Sequence, residues 1–396
     1  MRETLDLHVF IDALGWRISQ AHGFLAETAP YRRPLRTVLG YSCAAVPSLL
    51  TGCTPSEHGR LSFYYYAPDD SPFRGVSRML RLLPSPLARR GRVRRYLSRF
   101  VARRLGFTGY FQLYNVPLKH LPLFATCETG DIFAPRGLHP CRSIFDVLGD
   151  AQVAYHCSNW RSDEGTNLLA ALSAVTLPQT RWAFVYLPGL DGLMHAVGTK
   201  DSEVDKRLTF YEGWIRRLYK AARRHHDHVR LTVMSDHGMT DVTRRCDVEG
   251  VVESTGMRFG TDYVAFYDST MARFWYLRQG ARATIERCLR ALSYGSVLND
   301  AQLEEFGAHF PDRRFGETVF LVDPGWLIVP SFMGRTGLAA MHGYSPDDAD
   351  ADAMIACSEP IGPHLRSITD VRDHMSGHRT IGLREDGLRA PVACSL

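Results

Sequence analysis

Aspartate and histidine side chains recur together in four separated segments of the chain. The segments are FIDALGW with Asp12, LDGLMHAVG with Asp191 and His195, MSDHGMT with Asp236 and His237, and MHGY with His342. Three carboxylates and three imidazoles could hold two zinc-like cations, because such metals take nitrogen and oxygen ligands. Two cations can stabilise both the attacking and the leaving oxygen of a phosphoryl group. A single pair would more often be a helix cap or a buried hydrogen bond, so the inference depends on the whole set.

A fifth segment offers a nucleophile. Ser42 directly precedes an apolar helical stretch, residues 46–50. A hydroxyl at the start of a helix is well placed to become an alkoxide beside a cation, and the free backbone N–H groups there can hold an anion. The alternative role for Ser42 is that of a simple N-cap.

Three apolar strand candidates precede the aspartates. They are residues 7–11, 182–187 and 229–234. Near-continuous apolar runs are typical of buried parallel strands. Between the last two, apolar residues recur at helical spacing from Val204 to Ala222, behind a Ser202–Asp205 stretch that resembles a capping box. This order predicts a doubly wound parallel sheet, in which the carboxyl ends of the strands bring the three aspartates together.

Composition narrows the class of protein. The chain has 396 residues, 45% hydrophobic and 22% charged, which excludes a mainly disordered or fibrous protein. No run of 18 uncharged apolar residues predicts a spanning helix, and the N-terminus lacks a signal-peptide pattern, so we expect a cytoplasmic protein. Nine cysteines without a CxxC pair predict buried thiols rather than a zinc knuckle or a disulfide framework.

Two segments interrupt the strand-helix pattern. Residues 71–130 are rich in arginine, and residues 244–330 alternate short strands with a helix. We predict a core made of residues 1–70, 131–243 and 331–396, with 71–130 as a helical cap and 244–330 as an inserted α+β subdomain. The predicted strands of the subdomain are 263–267, 273–277 and 318–322, and its predicted helix is 283–292.

Together these motifs resemble the type I phosphodiesterase and nucleotide pyrophosphatase branch of the alkaline phosphatase superfamily. The similarity covers residues 9–59, 181–240 and 342 to about 357, and the motifs TG-xx-P-xx-HG, SDHGM and HGY are specific to that branch. The resemblance implies an α/β fold. Its alkaline-phosphatase-like core has a central, mainly parallel sheet flanked by helices, and carries inserted cap segments.

The resemblance also assigns roles to the residues. It implies that Asp12, Ser42, Asp236 and His237 hold one metal ion and that Asp191, His195 and His342 hold the other. The two divalent ions would be zinc, with manganese or magnesium as alternatives. Counting back from the TG pair places the nucleophile at Ser42.

The sequence departs from the family near this nucleophile. Tyr41 stands where the family usually has lysine, and no asparagine follows the HG pair to bind the phosphoryl oxygen. Ser62, Asn115 and Asn159 are the candidate substitutes. These departures weaken the case for a nucleotide substrate.

The function implied is a metal-dependent phosphoric ester hydrolase of the phosphodiesterase type. Ser42 would attack phosphorus and water would then release the phospho-enzyme. A phosphotransferase acting on a lipid- or sugar-linked phosphate is the alternative, and a membrane-surface scaffold with structural zinc is the non-enzymatic one. A sulfatase is disfavoured because no C-x-P-x-R motif is present at the nucleophile.

Positive charge is concentrated in one place. Residues 71–127 hold eleven arginines, one lysine and no carboxylate, a net +12 in a chain whose total is +5. As a helix, Val93, Tyr96, Leu97, Phe100, Val101 and Leu105 would form one face opposite Arg95, Arg99 and Arg103. The pattern predicts peripheral contact with an anionic membrane through residues 74–105, at the inner face of the membrane. A solvated cap is the alternative, and nucleic acid is disfavoured because no binding motif is present.

Overall fold

The computed structural model of the chain describes residues 4–80 and 90–377. Its strands are β1 Thr4–Ile11, β2 Tyr31–Leu35, β3 Tyr64–Tyr66, β4 Phe124–Thr126, β5 Tyr155–Cys157, β6 Trp182–Leu187, β7 His228–Met234, β8 Thr240–Asp241, β9 Arg244–Cys246, β10 Tyr263–Tyr267, β11 Met271–Tyr276, β12 Gly295–Leu298, β13 Thr318–Val322, β14 Trp326–Ile328, β15 Ala340–Met341 and β16 Ala353–Cys357.

Its helices are α1 Trp16–His22, α2 Ser42–Thr51, α3 Pro55–His58, α4 Arg74–Leu80, α5 Gly91–Leu105, α6 Ile144–Asp150, α7 Glu164–Ala174, α8 Gly189–Val197, α9 Ser202–His225, α10 Val248–Glu253, α11 Ala281–Arg290, α12 Asp300–Glu305 and α13 Val371–Ser376, with 3₁₀ turns at Leu121–Leu123 and Ile368–Asp370. Among these described helices, none is both long enough and apolar enough to cross a membrane.

A six-stranded central sheet has the order β2-β16-β7-β1-β6-β5. Its four strands β7, β1, β6 and β5 run parallel, while β16 and β2 each run antiparallel to a neighbour. Ile11 lies opposite Leu187 and Phe10 lies opposite Met234, so three parallel strands end at the same edge. The predicted α/β fold with a mainly parallel sheet is therefore confirmed.

Helices cover both faces of this sheet because alternate strand side chains are apolar on either side. One face packs against α7, α8 and α9, and the other packs against α2, α6 and α13. Helix α9 begins at Ser202, but its N-cap is Asp201, which accepts a hydrogen bond from the Glu203 amide at 2.9 Å. The predicted Ser202 cap was wrong by one residue, since an aspartate there caps equally well.

A second, antiparallel sheet has the order β10-β11-β13-β12 and contains the strands predicted in residues 244–330. It shares one hydrophobic cluster with the arginine-rich segment, and the rings of Phe124 and Phe266 meet edge to face at 5.2 Å between centroids. The two predicted insertions thus pack against each other.

Helix α5 buries only part of its predicted apolar face. Arg94, Leu97, Ser98 and Val101 are its buried residues. Tyr96 and Phe100, which the prediction placed on the apolar face of the helix, are 71% and 37% exposed. Arg94 is buried because its guanidinium donates to the Val116 carbonyl at 2.8 Å, an acceptor that the periodicity of the helix cannot reveal.

The cysteine prediction also needs correction. Cys53 and Cys141 form a disulfide across 88 residues of sequence. Cys43, Cys246 and Cys357 are buried thiols, as expected. Cys394 lies outside the described residues, as does the part of the predicted core beyond residue 377.

Candidate active site

The predicted metal ligands converge at the carboxyl edge of the central sheet. Asp191 Oδ1 lies 3.2 Å from His195 Nε2 and 3.6 Å from His342 Nε2. His237 Nε2 lies 3.2 Å from Asp236 Oδ2 and 3.6 Å from Asp12 Oδ1. The rings of His237 and His342 stack at 3.8 Å between centroids, which joins the two halves of the cluster.

Ser42 is the first residue of α2 and lies in this cluster. Its Oγ is 3.0 Å from His237 Nε2. The N-cap position belongs to Tyr41, which makes no side-chain cap, so Ser42 does not act as a cap itself. A buried hydrogen bond of 3.0 Å between Ser48 Oγ and His58 Nε2 fixes α2 against the following turn. The TG-xx-P-xx-HG motif therefore orients the helix that begins at Ser42.

The SDHGM motif positions its ligands through close backbone packing. Ser235 Oγ donates to the Leu14 carbonyl and accepts from the Met354 amide, which ties β7 to its neighbours. A Cβ on Gly238 would lie 2.0 Å from the Asp350 carbonyl oxygen, so only glycine fits there. Ala13, at a φ of 63°, donates its amide to Asp236 Oδ1 at 3.3 Å.

Backbone carbonyls select the histidine tautomers. His195 Nδ1 donates to the Ala340 carbonyl at 2.8 Å, and His237 Nδ1 donates to the Gly238 carbonyl at 2.9 Å. Each Nε2 is thereby left as the free acceptor facing the carboxylates. Such outer hydrogen bonds are typical of metal-binding histidines.

Burial and charge strongly perturb these groups. Burial raises the pKa of Asp12, and the charges of Asp236 and Asp191 raise it further. Burial would also raise the pKa of Asp191, but the adjacent His195 imidazole, 3.2 Å away, outweighs burial and the pKa is lowered. Burial and the charge of His237 lower the pKa of His342. Three carboxylates held this close favour a bound cation.

The donor set fits divalent cations. Asp12 Oδ1, Asp191 Oδ1 and Asp236 Oδ2 are buried and accept no hydrogen bond from any described residue. Ligand atoms lie within 4.8 Å of one another in two groups, one of Asp191, His195 and His342 and the other of Asp12, Asp191 and His237. The first group matches the predicted set. The second shares Asp12 and His237 with the other predicted set and adds Asp191, while Asp236 Oδ2 lies 3.2 Å from His237 Nε2.

A cavity of about 680 Å³ opens onto Asp12, Ser42, Asp191, His195 and His342. Its wall is mainly apolar and aromatic. Besides Tyr41, the aromatic lining residues are Phe63, Tyr110, Tyr114, Phe133, Trp160 and Tyr186. Sequence reasoning missed them, because they come from five separate segments, and only the aromatic spacing of residues 107–114 offered a signal.

The three proposed oxyanion donors have different positions. Asn115 lines the cavity. Ser62 is fully buried and donates to Asp268 Oδ1 at 2.7 Å, while Arg273 donates to its hydroxyl at 3.1 Å. Asn159 is exposed and accepts from the Arg161 amide in a local turn. Only Asn115 of the three is therefore positioned to meet a substrate.

Tyr41, which replaces the lysine of the family, is a buried structural residue. Its hydroxyl lies 2.9 Å from Thr270 Oγ1, and Thr270 donates to the Gly343 carbonyl at 2.6 Å. A Cβ on Gly343, at a φ of 85°, would lie 2.6 Å from the tyrosine ring. Tyr41 thus links the second sheet to the loop that carries His342.

A model of the type I phosphodiesterase/nucleotide pyrophosphatase family matches residues 129–345 of the chain. The chain belongs to this family. The match includes five of the predicted metal ligands, whereas Asp12 and Ser42 precede it. Members of this phosphodiesterase family are hydrolases, and membership implies dependence on divalent metal ions.

Solved structures share the fold of this phosphodiesterase. Human ectonucleotide pyrophosphatase/phosphodiesterase 5 aligns with a TM-score of 0.65 and 13% identity, covering 95% of this chain and 94% of its own. An inactive variant of the murine protein, solved in complex with AMP, aligns with a TM-score of 0.65 and 16% identity, covering 94% and 95%. These alignments confirm the alkaline-phosphatase-like fold. No curated protein sequence matches the chain.

Proposed function

We propose that this protein is a two-metal phosphodiesterase that uses Ser42 as its nucleophile. One observation carries the proposal: the Ser42 hydroxyl lies 3.0 Å from His237 Nε2, among buried carboxylate oxygens that no described residue hydrogen-bonds. A large cavity leads to this hydroxyl. A nucleophile, a cation-binding donor set and room for a substrate therefore meet at one point.

The residues of the chain account for a double displacement. Ser42 loses its proton, its Oγ bonds to phosphorus, and the bond from phosphorus to the leaving oxygen breaks. Water then attacks the phosphoserine, releases the product and restores the hydroxyl. Two divalent cations, which we propose to be zinc with manganese or magnesium as alternatives, would lower the pKa of Ser42 and stabilise the leaving oxygen.

The mainly apolar wall favours a phosphoester with a bulky organic group. Nucleotides, for which the murine neighbour provides an AMP complex, and lipid-linked phosphoesters are both candidates. If an alcohol took the place of water at the second step, the same residues would act as a phosphotransferase on a lipid- or sugar-linked phosphate. Product analysis in the presence of glycerol distinguishes transfer from hydrolysis.

The test of the nucleophile compares two adjacent residues. Ser42→Ala should abolish hydrolysis of bis(p-nitrophenyl) phosphate, by a factor of about 10⁴ or more, while leaving metal content and fold intact. Cys43→Ala is the matched control, because Cys43 is the neighbouring candidate nucleophile and lies buried beside it. Activity in Ser42→Ala and loss in Cys43→Ala would contradict the assignment, and an inactive wild type would favour a scaffold with structural zinc.

We also propose peripheral contact with an anionic membrane through the exposed face of α5. Two exposed aromatic residues, Tyr96 and Phe100, lie one helical turn apart. The arginines on the exposed surface of the helix are Arg92, Arg95, Arg99, Arg103 and Arg104, and none of them pairs with a described carboxylate. Basic and aromatic side chains together suit an anionic lipid interface. Residues 81–89 of the predicted 74–105 surface lie outside the described residues.

For the compartment, we propose the cytoplasm and the inner face of the membrane. The Cys53–Cys141 disulfide weighs against this proposal, because disulfides are rare in cytosolic proteins. Fractionation of cells, with thiol labelling of these two cysteines, tests it directly.

A further inference from the structure

Glu128 is a buried carboxylate in the wall of the substrate cavity. Its side chain is 5% exposed, and no described residue donates a hydrogen bond to either of its oxygens. Its ion-pair partner is Arg60, whose Nη1 lies 3.7 Å from Glu128 Oε1, too far for a hydrogen bond. Arg60 Nη1 itself has no hydrogen-bond partner among the described residues.

The backbone that carries Glu128 is tightly packed. Gly109 packs so tightly against this segment that a Cβ would lie 2.3 Å from the Gly130 carbonyl oxygen and 3.2 Å from that of Glu128. Buried polar atoms in folded proteins almost always have hydrogen-bond partners, because leaving them without one is costly. A carboxylate that lines a cavity and has no hydrogen-bond partner among the described residues therefore indicates a ligand that donates a hydrogen bond.

We propose that Glu128 is a specificity-determining residue that accepts a hydrogen bond from a hydroxyl group on the organic part of the substrate. The inference depends on the phosphodiesterase function proposed above and narrows its substrate class to phosphoesters of polyols or sugars. It assigns Glu128 no part in the bond-breaking step.

Two observations favour a hydroxyl over an ammonium group. The guanidinium of Arg60 lies 3.7 Å from the same carboxylate, so a cationic ligand would be repelled by it, whereas a neutral hydroxyl would not. Burial also raises the pKa of Glu128 to about 7, with the charge of Arg60 opposing the rise. A hydroxyl can pair with both protonation states, since it donates to the carboxylate and accepts from the carboxyl.

The subsite lies within reach of the catalytic cluster. Glu128, Tyr110 and Asp191 come from separate parts of the chain. All three residues line the same cavity. A single substrate could therefore place its phosphorus at Ser42 and a hydroxyl at Glu128.

The experiment uses p-nitrophenyl phosphodiesters that share one leaving group and differ in the second alcohol, which is glycerol, 1-propanol or choline. Wild type should prefer the glyceryl over the propyl ester by about tenfold or more in kcat/KM, mainly through KM. Glu128→Leu should bring this ratio close to one, and Glu128→Gln should reduce it partly. The ratio does not depend on the fraction of folded enzyme. Glu253→Gln, at an exposed carboxylate, should leave it unchanged.

Equal rates on the glyceryl and propyl esters in wild type would overturn the proposal, as would a ratio unaffected by Glu128→Leu. A preference for the choline ester that is lost in Glu128→Leu would overturn the hydroxyl assignment. If wild type hydrolyses none of the esters, the phosphodiesterase proposal fails. Calorimetric binding of glycerol 3-phosphate and propyl phosphate then tests the hydroxyl subsite at Glu128 independently of turnover. Tighter binding of glycerol 3-phosphate in wild type alone would support it, and equal binding would overturn it.

Discussion

Removal of divalent metal should lower the stability of this protein, because its three clustered aspartates would then repel one another. Asp12 Oδ1, Asp191 Oδ1 and Asp236 Oδ2 are buried without hydrogen-bond partners among the described residues. Among the described residues, their charges are then opposed by neighbouring histidines, the Ala13 amide and the Tyr186 hydroxyl. We therefore expect a chelator to shift the unfolding temperature downward.

The size of the shift follows from linkage. A ligand present at about one hundred times its Kd stabilises the folded state by about 2.7 kcal/mol for each site. Two sites give about 5 kcal/mol, which corresponds to a shift on the order of 10 °C in a chain of this length. Asp191 offers a ligand atom to both groups, so Asp191→Asn should remove most of this stabilisation. The metal-free variant should unfold no earlier than metal-free wild type, because it carries one negative charge fewer.

The assay is differential scanning fluorimetry with and without EDTA, together with elemental analysis of the protein purified without chelator. Asp227→Asn is the matched control, since Asp227 is exposed and makes no described contact with the cluster. An EDTA-insensitive unfolding temperature in wild type, with less than one metal ion per chain, would refute the reasoning.

Three further predictions address the membrane surface, the buried charges and the pH dependence of stability. Replacing three α5 arginines by glutamine should lower the affinity for phosphatidylserine vesicles, measured by sedimentation at low salt, about 100-fold, since each arginine contributes about 1 kcal/mol. Hydrolysis of a small aryl diester should not change. Wild type that never sediments with the vesicles would contradict this prediction. The three arginines are Arg95, Arg99 and Arg103. Arg273→Met should lower the free energy of unfolding in urea by about 3–5 kcal/mol, because it leaves Asp268 charged and buried beside Ser62. Adding Asp268→Leu to the same chain should restore part of this loss. A loss below about 1 kcal/mol would count against the buried pair. Burial raises the pKa of Glu128 from its ordinary value to about 7, so wild type should lose about 3 kcal/mol of stability as the pH rises from 4.5 to 7. Glu128→Gln should remove this dependence, as measured by urea midpoints at pH 5 and pH 8. An unaltered pH dependence in the variant would disprove the shift.

The convergence of the predicted metal ligands could be foreseen because most of them belong to short motifs that follow an apolar strand. Asp12 and Asp236 come directly after β1 and within two residues of β7, so the register of the parallel sheet determines where they meet. Such local patterns can be recognised without any knowledge of long-range packing. The same reasoning placed Ser42 at the start of α2.

Other features depend on contacts between distant segments and could not be predicted. Ser62 was a reasonable oxyanion donor by position, but Asp268 and Arg273, more than 200 residues later, engage its hydroxyl. The Cys53–Cys141 disulfide likewise joins segments that no spacing rule connects. The cavity wall is assembled from several loops, so neither its aromatic character nor the position of Glu128 was evident.

The link through Tyr41 has a consequence for the modularity of the protein. The residue before the nucleophile is anchored to Thr270 in the turn between β10 and β11, and Thr270 in turn holds the loop of His342. The accessory sheet therefore braces the nucleophile helix and one metal-ligand loop at the same time, although none of the predicted metal ligands lies within it. Deleting residues 244–330 would not leave a smaller enzyme with broader substrate scope. It would remove the brace that keeps Ser42 and His342 in register, so the accessory sheet and the catalytic core form one inseparable functional unit.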